Sequence, residues 1–106
     1  MPEHWSPRTI AQVNDYDVRV VKVHGQFTRH SHPETDEFFL VLSGRLTIQM
    51  DDDVVTLETG DTFVVPRGIA HRPQCEKETT LLLFEPSETS NTGDTPSTLT
   101  APRTVA

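Results

Sequence analysis

Between residues 18 and 85 apolar and polar side chains alternate over short runs, the two-residue period of strands with one buried face. The candidate runs are 18–24, 27–32, 37–43, 46–50, 54–57, 62–65, 71–76 and 80–85. Turn formers separate them: Gly25-Gln26, the turn opened by Pro33, Gly44, Asp51-Asp52-Asp53, Thr59-Gly60-Asp61, Pro66 to Gly68, and Lys77-Glu78. No stretch carries a helical period. Many short strands at this spacing predict an all-β sandwich or barrel, with a jelly roll as the natural closure.

The flanks read differently. Residues 1–17 form an N-terminal segment with two prolines, in which Trp5 and Ile10 are available to cover an edge or a barrel end. Residues 86–106 are rich in Thr, Ser and Pro and poor in large apolar groups, the composition of a tail that builds no core of its own. Within it, Asn91-Thr92-Gly93-Asp94 could make an ordered turn against the barrel. A chain of 106 residues is a single domain.

Candidate chemistry concentrates in two blocks. His30 and His32 are two apart, so in a strand they project from one face and can share a metal ion. Glu37 is an odd number of residues further on, which requires the turn that Pro33-Glu34-Thr35-Asp36 supplies. His71 follows the turn Pro66-Arg67-Gly68. A sheet folding back on itself can therefore gather all four side chains. One histidine in a strand is ordinary, and it is the conjunction that points to metal. His4 and His24 lack such company and are read as ordinary. Asp36 is read as a backbone cap, Glu34 as solvated, and Asp51-Asp52-Asp53 as a hairpin turn, because it lacks the spacing and distal Glu of a calcium loop.

The blocks read Gly25, a gap of four, His30-x-His32, four more, Glu37, six more, Gly44; then Gly60, five more, Pro66-x-Gly68, two more, His71. This resembles the two signature motifs of the cupin family, at the short separation of small single-domain bacterial members. The resemblance covers Gly25 to Cys75. Two departures are visible: the gap after Gly25 is one residue short, and Cys75 stands where many members carry Asn. The resemblance implies a double-stranded β-helix barrel over residues 18–85, with His30, His32, Glu37 and His71 as metal ligands and Gly44, Gly60, Pro66 and Gly68 shaping turns. Three imidazoles and a carboxylate without thiolate suit a divalent transition ion: Fe, Mn, Ni, Cu or Zn. Four ligands leave two octahedral positions for substrate or dioxygen.

Parity with the ligands places Thr28, Phe39, Val41, Pro73 and Cys75 in the pocket, a mostly apolar lining that suits a substrate with an aromatic or aliphatic part and one chelating edge. No clear proton-transfer group stands there beyond the ligands, so Glu37, leaving the metal, is the candidate base. A metal-dependent dioxygenase, a redox-neutral isomerase, lyase or hydrolase, and a noncatalytic small-molecule binder all fit. On the opposite face Phe38, Leu40 and Leu42 need cover, which cupins of this kind commonly find in a homodimer. The formal net charge of −7 argues against nucleic acid or an anionic membrane as partner. A lone cysteine and the lack of an apolar leader predict a soluble, cytoplasmic chain.

Overall fold

The computed structural model describes residues 4–93 and 101–105. Its elements are all strands: β1 (Arg8–Val13), β2 (Tyr16–Gln26), β3 (Glu37–Ser43), β4 (Arg45–Met50), β5 (Val54–Glu58), β6 (Thr62–Val65), β7 (His71–Pro86) and β8 (Thr104–Val105). They pair in the order β5-β4-β7-β2-β1-β8, and β3 joins β7 while carrying β6 on its other edge. All pairings are antiparallel except β1 with β8.

β7 organises the barrel. One edge runs along β2, from Gln26↔Gln74 to Tyr16↔Pro86. The other edge changes partner, taking β4 from Met50↔His71 to Thr47↔Gln74 and then β3 from Ser43↔Thr80 to Phe38↔Phe84. The change happens at a corner. Thr79 Oγ1 donates to the Arg45 carbonyl (3.0 Å) and receives the Arg45 N–H (3.3 Å). Gly44, at φ +107°, lies so close that an added Cβ would stand 2.5 Å from that hydroxyl oxygen. Only glycine fits both the backbone angle and the space.

Alternate residues of these strands fill the interior: Val21 and Val23, Phe39 and Val41, Leu46 and Ile48, Leu57, Val65, Leu81 and Leu83. Burial of each such side chain is worth about 1.5–3 kcal/mol. Toward one end of β2 and β7 the inward row becomes charged. Arg19 places every N–H: Nε and Nη2 on Asp17 Oδ2, Nη1 on Glu85 Oε1 (3.2 Å) and the Thr89 carbonyl (2.8 Å), and Nη2 also on the Ser87 carbonyl (2.7 Å). Arg103 closes on Asp17 with two bonds of 2.7 and 3.0 Å. Asp17 and Arg19 thus strap the C-terminal segment to the barrel.

Several sequence expectations change. The run 27–32 is not a strand: only a bridge between His30 and His71 forms there, because the backbone leaves the ladder after Gln26 to enter the Pro33 turn. The runs 71–76 and 80–85 are one strand, and Lys77-Glu78 falls in a register shift opposite Val23–Gly25. Such a bulge bends a strand without ending it. Residues Arg8–Val13 form a strand within the N-terminal segment. Asn91–Gly93 makes a turn, with Thr92 fully buried. Asp94 of the proposed turn, and residues 1–3, 94–100 and 106 of the flanking segments, lie outside the described residues.

The charged row has a pH signature. Arg103 holds Asp17 well below the usual carboxylate range, against its burial and with help from Ser87, Thr9 and Arg19. Burial, then the nearby charge of Glu37, push Glu85 up to about 8. Folded protein therefore keeps a proton on Glu85 that the unfolded chain releases near 4.5, and the stability this contributes falls as pH rises between those values. Glu85→Gln keeps an oxygen for Arg19 and removes the titration. In metal-free protein its melting temperature should match the native chain at about pH 5 and exceed it at about pH 9, read by calorimetry.

Candidate metal centre

Three pieces of chain deliver the four side chains: the segment between β2 and β3 carries His30 and His32, β3 carries Glu37 and β7 carries His71. His30 and His71 exchange backbone bonds, His30 N–H to the His71 carbonyl (3.0 Å) and His71 N–H to the His30 carbonyl (2.8 Å). This sets their rings 4.4 Å apart. His32 is tied by its carbonyl, which accepts the Gly68 N–H (2.9 Å). Glu37 opens β3, and the neighbouring Asp36 caps the Arg67 N–H (2.9 Å), holding the Pro66–Gly68 turn in place.

One ligand atom from each of His30, His32, Glu37 and His71 falls within 4.8 Å of the others. Glu37 Oε1 lies 3.0 Å from His71 Nε2, 3.1 Å from His32 Nε2 and 4.0 Å from His30 Nε2. All four residues are at most 4% exposed. His30 Nδ1 donates to the Thr28 carbonyl (2.7 Å) and His71 Nδ1 to the Ile69 carbonyl (2.9 Å). Those bonds turn the Nε2 atoms of both rings inward, the orientation that metal-binding histidines take from a second hydrogen bond.

The electrostatics favour a cation. Burial opposes ionisation of Glu37, yet hydrogen bonds and charge from His32 and His71 outweigh it and hold the carboxyl well below its usual range. His30 is held below its ordinary value, mainly by burial, so its ring stays neutral and able to ligate. Its Nε2 is buried with no hydrogen-bond partner. A buried acceptor left unpaired costs about 1–3 kcal/mol. A divalent ion among these four atoms would satisfy it, so the residues present fit a metal.

Beside these four residues lies a cavity of about 30 Å³, bounded at one end by His30 and Glu37 and walled by Val21, Val23, Phe27, Phe39, Pro73, Leu81 and Leu83. Trp5, Pro7 and Asn91 complete it. Of the residues expected in the pocket, Phe39 and Pro73 line this space. Val41 is core and does not reach it. Thr28 supplies its carbonyl to His30 rather than a side chain to the wall, because residues 27–32 lack the strand geometry that the parity argument needs. Cys75, past the register shift, lines a polar groove with Gln26, Thr47, Gln74 and Lys77 instead. Trp5 and Asn91 are additions. The lone tryptophan and the Asn-Thr-Gly turn were visible signals, but their distance in sequence from the ligands hid the connection.

The other polar residues stay apart. His4 pairs with Glu78 at the surface (2.8 Å), the His24 carbonyl accepts the Trp5 indole N–H (2.9 Å), and Met50 N–H closes the aspartate turn onto the Asp53 carbonyl (2.9 Å).

The cupin domain family matches residues 18–86, and the chain belongs to it. It is 36% identical over 78 residues to the uncharacterized protein YdbB of Bacillus subtilis, spanning 73% of this chain and 69% of that one. A cupin-2 domain protein from Shewanella frigidimarina superposes with a TM-score of 0.80 at 43% identity, covering 81% and 84% of the two chains. Hydroquinone 1,2-dioxygenase from Sphingomonas sp. TTNP3 with bound 4-hydroxybenzoate shares the fold, at TM-score 0.73 and 22% identity over 81% of this chain and 28% of that one. Among the described residues no helix is long and apolar enough to cross a membrane.

His32→Ala and His71→Ala should each lower bound divalent metal at least about tenfold after equilibration with a competing chelator, and lower the melting temperature of the metal-loaded sample toward that of the metal-free one. Elemental analysis and calorimetry on the same preparations check both.

Proposed function

We propose that this chain is a metal-dependent cupin that takes a small molecule directly onto its metal, with His30, His32, Glu37 and His71 as ligands, and that it acts as a dioxygenase. The observation that carries the reading is the inward convergence of four buried ligand atoms with two imidazoles locked by backbone carbonyls. When bound, an iron ion supplies Lewis acidity and the redox chemistry that dioxygen requires. Phe39, Leu81 and Leu83 exclude water and present an apolar wall, which fits an aromatic or aliphatic substrate with one chelating edge. Glu37 is the group placed to hold or accept a substrate proton, at Oε1 between His32 and His71. A relative of the same fold that is a dioxygenase with a bound phenolic acid supports this direction.

Separate Fe, Mn, Ni and Zn forms should be screened against catechol-like, diketone and enediol compounds, following oxygen uptake and product together. Oxygen consumption by the Fe form alone supports the dioxygenase reading. Turnover without oxygen uptake by a redox-silent form replaces it with an isomerase, lyase or hydrolase. Binding without turnover in every form leaves a small-molecule binding module.

The outer face of β3, β6, β7 and β2 supports a homodimer. Phe38 sits between Val64 and Phe84, and Leu40 beside Leu82, which in turn pairs with Val20. Leu42 and Val64 are 42% and 46% exposed. A continuous apolar sheet face of this kind is what a two-fold partner covers. Light scattering should give twice the chain mass, and Leu40→Glu should shift it to monomer with the metal site intact. The single free thiol, Cys75, fits a reducing cytoplasm as the working compartment.

A further inference from the structure

The cavity beside His30 and Glu37 measures about 30 Å³, against about 150 Å³ for an apolar cavity that takes benzene. A six-membered ring does not fit. Something must move, and the structure narrows what. Of the residues lining the cavity, all but Trp5 and Asn91 are buried, so these two alone form its rim. They belong to opposite ends of the chain and both lie outside the family match at 18–86. They are also bonded to each other: Asn91 Nδ2 donates to the Trp5 carbonyl (3.1 Å).

Trp5 covers one side of the cavity and is half-buried. Its indole lies flat on Phe27 (centroids 4.7 Å, planes 20°), and Phe27 in turn meets the edge of the His30 ring (5.4 Å, 86°). The Trp5 N–H bonds to the Lys22 carbonyl (2.8 Å) and its indole N–H to the His24 carbonyl (2.9 Å). Its backbone sits at φ +60°, a left-handed angle that a bulky residue adopts only under strain. Behind the rim, Gly93 presses on the Ser31 carbonyl and the His30 ring so closely that no Cβ fits there. Asn91 Oδ1 accepts the Ala101 N–H (2.9 Å), anchoring the far side of the clasp.

From the cavity size and this rim we infer that the Trp5–Asn91 clasp is the gate and size filter of the metal site, so that Trp5 and Asn91 set which ligands reach the metal. The inference rests on the metal-and-small-molecule reading above. The ligand-size limit lies in the terminal segments and not in the ligand residues that cupins share.

Cobalt(II)-loaded protein provides the test, since its visible spectrum reports a new ligand on the metal. Azide is the small probe and 4-phenylimidazole the bulky one. Trp5→Ala and Asn91→Ala should each speed 4-phenylimidazole binding by about tenfold or more while changing azide binding by less than about threefold. Trp5→Phe, which keeps the stack on Phe27, should stay near the native rates. Equal acceleration of both probes, or none of either, overturns the gate. Failure of cobalt to bind the native chain instead removes the metal reading and this inference with it. Trp5 is the only tryptophan, so a second measurement needs no metal. Acrylamide should quench its emission more strongly in Asn91→Ala than in the native chain, and unchanged quenching counts against the clasp.

Discussion

The geometry depends on one strand having to serve three neighbours with two edges. β7 keeps β2 along one side throughout, and on the other side gives up β4 for β3 at the Thr79–Gly44 corner. Because the strand curls there, its first residue faces the strand paired with its last turn of ladder: His71 Nε2 meets the Glu37 carboxylate, while Phe38, the next residue, pairs with Phe84. The metal centre is therefore where the two ends of a bent ribbon come back together. A flat sheet with the same pairings would hold His71 and Glu37 far apart.

Two kinds of polar burial follow, and they do different work. Around the candidate metal centre, His30 Nε2 has no partner within the protein, and beside an ionised Glu37 that is what a cation would take. In the Asp17–Arg19–Glu85 row almost every donor is spent on the chain itself, chiefly on the carbonyls of Ser87 and Thr89. The first arrangement leaves a donor set that fits a cation. The second fixes the C-terminal segment, and through it Asn91 and Gly93 beside the His30 ring. An unpaired partner in either would carry the full cost of a buried charge or dipole, so the two must be read together.

The convergence of His30, His32, Glu37 and His71 was legible because its information is local: His30-x-His32, the Pro33 turn and the Pro66–Gly68 turn each specify a short piece of backbone, and the conjunction of pieces is specific. The strand pattern was legible for the same reason where ladders are regular. It failed at 27–32, where two histidines look like alternation but the backbone serves as a loop held by hydrogen bonds to β7. It failed again at Lys77-Glu78, since polar residues mark a bulge as readily as a turn. Trp5 and the Asn91 turn were read as cover for the barrel but not as part of this site, as nothing in their own neighbourhood states what lies across the barrel. Asp17, Arg19 and Glu85 did carry a signal: each continues by twos the apolar inward rows of Val21 and Val23 or Leu81 and Leu83, and a charge at such a position demands an internal partner.

The β2–β7 ladder also governs how this chain can reach its native state. Its partners, from Gln26 with Gln74 to Tyr16 with Pro86, are distant in sequence, and every other strand either pairs with this ladder or pairs with a strand that does. Closing such a loop costs conformational entropy before any contact repays it, so a topology of this kind folds slowly for its size. Until that closure β3 and β4 have no shared partner and their edges stand open. The rate at which Val18 finds Phe84 thus sets how long those edges are available to other chains.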